Sequence, residues 1–150
     1  MNRIEIICPA ERPEAVSPRL RDILRRALRP DGNYTWRVRA EELEQITGSR
    51  LLFVISLDEA GMNLEYTRML AKIRLCPQLF EGAVGGVIVD GVHEIYTKST
   101  ARDLVFAANQ AGCAFPGKSL VEATGSLQNF RIQARNRGVD WTEAYRLAVK

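Results

Sequence analysis

Histidine occurs once in this 150-residue chain, at position 93, and cysteine three times, at positions 8, 76 and 113. The cysteines are odd in number, far apart and form no C-x-x-C pair, so a structural zinc site is not expected. No apolar run approaches the roughly 20 residues that a membrane-crossing helix requires. Met1-Asn2-Arg3 leads straight into a strand pattern without the apolar core of a secretion signal. The expectation is a cytoplasmic, reduced protein with no membrane association. The net charge of +3 comes from 21 basic and 18 acidic residues mixed along the chain. A nucleic-acid partner would call for a concentrated basic face, so none is expected.

A phosphate-binding fingerprint is also missing. The stretch "EGAVGGVIVDG", residues 81–91, holds four glycines. A dinucleotide fingerprint needs G-x-G-x-x-G between a first strand and its helix, and a P-loop needs G-x-x-x-x-G-K-[ST] in a similar place. Neither spacing occurs. Gly82 precedes a strand, and Gly85 and Gly86 lie inside it, where glycine lets another segment approach closely. Only Asp90 and Gly91 fall beyond the strand end.

What is present is an ordinary globular composition, 46% apolar and 26% charged, in a chain sized for one domain over residues 1–150. Short β-branched or continuous apolar runs at 4–8, 51–55, 83–89 and 119–123 read as buried strands, and alternation over 34–39 reads as an edge strand. Between them run helical stripes. Ser17-Pro18 is an N-cap followed by a first-turn proline, and Leu20, Ile23, Leu24, Ala27 and Leu28 form the apolar face behind it. A short helix is expected over 40–46, and Asn63 caps another with Tyr66, Met69, Leu70 and Ile73. Ser99 or Thr100 caps a fourth that ends at Gly112. Ser126 starts a fifth, with Leu127, Phe130 and Ala134. Asp140 and Glu143 form a capping-box-like pair for a last helix with Trp141 and Tyr145. Strands alternating with helices imply α/β architecture with a parallel sheet. The expectation is a three-layer α/β/α sandwich around five parallel strands in the flavodoxin-like order 2-1-3-4-5.

In such a sheet, ligands bind beyond the carboxyl ends of the strands. That places the loops over 9–16, 56–62, 90–98 and 124–125 on the functional edge. The first loop feeds a helix N-terminus, the natural anion site, where Ser17 offers a hydroxyl and Arg12 and Arg19 offer charge. The bland alternative is that Ser17 only caps its helix. The third-strand loop brings Asp58, Gly61, Met62 and Asn63, and the fourth brings Asp90, Gly91, Tyr96 and Thr97. Cys8 and His93 share this edge, though a strand-end cysteine is more often a core residue than a nucleophile. Trp141 and Tyr145 either pack on their own sheet or meet a partner.

Ser17 opening the first helix, "LLFVIS" followed by a loop and "NLEYTRMLAKI", and "FEGAVGGVIVDG" together resemble the NADPH-dependent FMN reductase branch of the flavodoxin-like superfamily. The resemblance covers most of the chain as element order. It implies an oxidoreductase in which residues 9–17 hold the FMN phosphate and the loops over 58–63 and 90–97 flank the flavin ring. NAD(P)H and a small-molecule electron acceptor would then be its partners. A homodimer, with the last helix docking on a second copy, is left open. The first loop reads "PAERPEAVS" where that family has Gly, Ser and Arg, and this leaves a second reading, a cofactor-less flavodoxin-fold binding or assembly module. A two-component receiver domain ranks lower. Cys8-Pro9 stands where its acid cluster belongs, Asp58 falls late, and Lys118 precedes the fifth strand.

Overall fold

The computed structural model describes residues 3–12, 16–116, 120–124 and 126–130. It is an α/β protein whose central sheet runs β2-β1-β3-β4, all parallel. The strands are β1 (Arg3–Ile7), β2 (Asn33–Arg37), β3 (Arg50–Ser56) and β4 (Val84–Asp90), and the helices are α1 (Pro18–Ala27), α2 (Leu64–Leu75) and α3 (Glu94–Gln110).

Both faces of the central strands are covered, which is why β3 is a continuous apolar run and not an alternating one. Leu51, Phe53 and Ile55 point into one core with Met69 and Ile73 of α2 and Leu104 and Ala108 of α3. Val54 points the other way, joining Ile6, Cys8, Ile88 and the α1 residues Leu20 and Leu24. α1 therefore lies on one side of the sheet, and α2 and α3 on the other. β2 is an edge strand with no buried position, its residues half-buried or exposed.

Local signals set several boundaries. Ser17 accepts from the Leu20 amide as the α1 N-cap, with Pro18 at the first helical position. Asn63 does the same for α2 through Tyr66. Gly112, with φ of 101°, sits just past α3 in the left-handed conformation that closes helices.

Three expectations are corrected. Residues 40–46 contain only a 3-10 turn at Ala40–Glu42. Outside partners hold this segment. The buried Glu65 carboxylate accepts from the Ala40 amide at 2.6 Å, Lys72 Nζ donates to the Ala40 carbonyl, and the Ile46 amide donates to the Leu79 carbonyl. α3 begins at Glu94, five residues before Ser99, with His93 at its N-cap making no side-chain capping bond. Most of the expected loop over 90–98 is therefore helix. Finally, Ser126 does not start a helix. β5 (Leu120–Thr124) runs parallel beside β4, and β6 (Ser126–Phe130) pairs antiparallel with β5. The open ladder of β5 outweighs the weak helix signal of Ser126, and the sheet is not wholly parallel as expected. The remainder of that expected helix and the final helix with Trp141 and Tyr145 lie outside the described residues.

Gly85 sits in β4 where an added Cβ would lie 2.8 Å from both Cys113 Sγ and a Phe115 ring carbon. Both neighbours are buried, so glycine here is a packing requirement. Gly85→Val should destabilise the fold by about 1–3 kcal/mol through overpacking, measured as a lowered urea midpoint with an unchanged m-value.

Candidate functional site

At the carboxyl ends of β1 and β3 lies an open cavity of about 440 Å³, lined by Ala10, Glu11, Ser17, Ser56, Leu57, Asp58, Met62, Asn63 and Leu64. Its volume falls in the range of roughly 300–1,000 Å³ typical of small-molecule sites. The first and third loops make it together, and one side chain ties them. Asn63 Nδ2 donates to the Pro9 carbonyl and to the Ser56 carbonyl, each at 2.9 Å, while Oδ1 caps α2. Asp58 organises its own loop, because Oδ1 accepts from the Ala60 and Met62 amides at 2.9 Å. Those bonds turn Met62 outward, so that it and Leu64 are half-exposed beside the opening.

Asp90 ends β4, where its carboxylate is buried. It is held by the start of α1. Ser17 Oγ donates to Oδ2, and Arg19 donates to Oδ1 through Nε at 2.9 Å and through Nη2. A carboxylate is favoured at a helix N-terminus, where the partial positive charge of the dipole lies. The place where this architecture would seat a ligand's anion thus holds an anion of the chain itself. The hydroxyl of Ser17, lining the cavity, is committed on both sides, donating to Asp90 and accepting from the Leu20 amide.

Of the residues expected at the site, Ser17, Asp58, Met62 and Asn63 line one cavity. Arg12 is exposed on the first loop but outside the described lining. Gly61, with φ of 75°, backs onto the Tyr96 ring, where a Cβ would come within 2.5 Å. Tyr96 also meets the His93 ring edge-on, at 5.8 Å between centroids. Gly91 is needed for closure. A Cβ there would lie 2.8 Å from Thr97 Cγ2 and 3.5 Å from Leu57 Cβ. Thr97 is fully buried in the first turn of α3 and cannot present its hydroxyl to a ligand. On the β4 side, Gly91 and Thr97 are packed inward beside Leu57, while Val92, Ile95 and Tyr96 are exposed. Glu11 and Ser56, within the expected loops over 9–16 and 56–62, also line the cavity. Leu64, the first residue of α2, joins it unexpectedly, and its position just past Asn63 is the only signal in the sequence.

No family model, curated protein or solved structure matches this chain.

Among the described residues, no group of three His, Cys, Asp or Glu side chains is placed to hold a metal ion, and no helix is long and apolar enough to cross a membrane. Cys8 is buried in the α1-side core, and burial pushes its thiol up to about 11. It therefore stays protonated at neutral pH, unsuited to act as a nucleophile with His93.

Two measurements follow from this geometry. Asn63→Ala removes a cap and leaves two carbonyls without their donor, and should cost about 2–3 kcal/mol in denaturant unfolding. Cys8 has its pKa raised from 9.0 to about 11. The folded state thus keeps a proton that the unfolded chain loses first. The stability this contributes is complete below pH 9.0 and is lost as pH rises towards 11. The urea midpoint should fall across that window, and less steeply in Cys8→Ser. Tyr66 and Cys113, also raised by burial, would sustain the remaining fall.

Proposed function

We propose that this chain is a flavodoxin-like domain, a three-layer sandwich with its first five strands in the order 2-1-3-4-5, that binds a flavin ring and serves as an NAD(P)H-dependent reductase. The observation that carries this reading is the cavity at the carboxyl ends of β1 and β3, the edge at which open parallel sheets take their ligands. Met62 and Leu64 offer apolar contact to a flat ring, and Glu11, Ser56 and Asp58 offer polar atoms around it. The flavin, when bound, supplies the hydride chemistry. The chain's residues bind and orient the ring, with the loop geometry fixed by Asn63 and Asp58.

FMN fits this site only in part. The cavity is of a size to take the ring, whereas the seat for a phosphate at the start of α1 is taken by Asp90.

A second reading, a cofactor-less binding or assembly module, is favoured by a different observation. Met62, Leu64, Val92, Ile95 and Tyr96 are apolar and exposed, and all lie in the segments that follow β3 and β4 at the same edge. A second copy of the chain or another protein could cover them.

Lumiflavin, the bare ring, separates the two readings. Reductase function predicts that its visible absorption shifts and its fluorescence is quenched on titration with protein, that Met62→Ala weakens binding about tenfold, and that NAD(P)H bleaches the bound flavin without oxygen. An unchanged spectrum at high protein concentration, together with concentration-dependent self-association in sedimentation, would overturn this reading in favour of the assembly module.

A further inference from the structure

We infer that Asp90 is a specificity-determining residue that makes this cavity select a flavin without a phosphate, riboflavin over FMN. The inference rests on the flavin reading above and concerns which form of the ligand the site accepts.

Three observations converge on it. First, the Asp90 carboxylate lies against the first turn of α1, bonded to Ser17 Oγ and to Arg19. These are the hydroxyl and the cation that a phosphate monoester would use at that position. Second, the carboxylate is built into the fold. It ends a strand whose neighbouring residues Ile88 and Val89 are buried, and its backbone carbonyl accepts from the Leu57 amide at 2.8 Å. Gly91 behind it is packed against Thr97 and Leu57, which leaves little room for the strand end to withdraw. Third, the cavity is lined by the acids Glu11 and Asp58 and contains no basic residue in its described lining. A phosphate dianion would therefore meet like charge from the two acids of the lining, and the donors at the start of α1 are already engaged by Asp90. A neutral ribityl chain meets no such repulsion, and its hydroxyls can donate to carboxylate and carbonyl oxygens alike.

The experiment is flavin fluorescence quenching with riboflavin and FMN, on the wild-type chain and on Asp90→Asn, with lumiflavin as the reference for ring binding. Asn keeps an acceptor for Ser17 and removes the charge. The expectation is that the wild type binds riboflavin about tenfold or more tighter than FMN. Asp90→Asn should narrow that gap mainly by strengthening FMN, and inorganic phosphate should not compete with riboflavin on the wild type. If Asp90→Asn does not fold, judged by circular dichroism, the wild-type ratio and the phosphate competition decide alone. Equal or tighter FMN binding by the wild type, or a gap unchanged in folded Asp90→Asn, overturns the inference while leaving the flavin reading in place. Failure of lumiflavin and riboflavin alike to bind overturns both.

Discussion

A carboxylate at the end of a buried strand has to be compensated, and Asp90 is compensated from across the sheet. Its partners, Ser17 and Arg19, are more than seventy residues earlier in the chain, and in the strand order β3 separates β4 from β1, the strand that α1 follows. The bond therefore ties the beginning of α1 to the carboxyl end of β4, two strands away from β1. Removing Ser17 and Arg19 would leave the buried charge of Asp90 without its partners, which is costly. Arg19 remains partly exposed, so solvent shares in balancing the charge.

The same economy governs the rest of this edge. Polar side chains that a sequence-based reading takes for ligand contacts are occupied with the backbone. Asn63 joins two loops and caps a helix, and Asp58 folds its own turn. What remains open to solvent beside the cavity is the apolar pair Met62 and Leu64 together with the acids Glu11 and Asp58. Shape, apolar contact and a few oxygen acceptors are thus what the cavity lining offers a ligand.

The features legible in the sequence were those whose cause is local. Ser17 with Pro18 and Asn63 mark helix starts because a short polar side chain can satisfy the first free amides by itself. The run over 51–55 reads as a two-sided strand because each successive residue needs an apolar partner on alternate faces. The parts that were misjudged depend on partners distant in sequence. Residues 40–46 are shaped by Glu65, Lys72 and Leu79. α3 starts at Glu94 although Ser99 and Thr100 carry the stronger capping chemistry, with Thr97 packed behind Gly91 and Leu57. Asp90 and Ser17 were both expected at the site, but nothing in either local pattern announces that they bind each other.

The two bonds from Asn63 to Pro9 and Ser56 also have a kinetic meaning. The bond to Ser56 braces the loop that leads to Asn63, and the bond to Pro9 crosses to the other loop, so the two loops cannot swing apart without breaking the Pro9 bond. Exchange of a bound molecule would then proceed by rotamer hops of flexible side chains such as Met62 on the nanosecond scale, with no slow hinge to wait for.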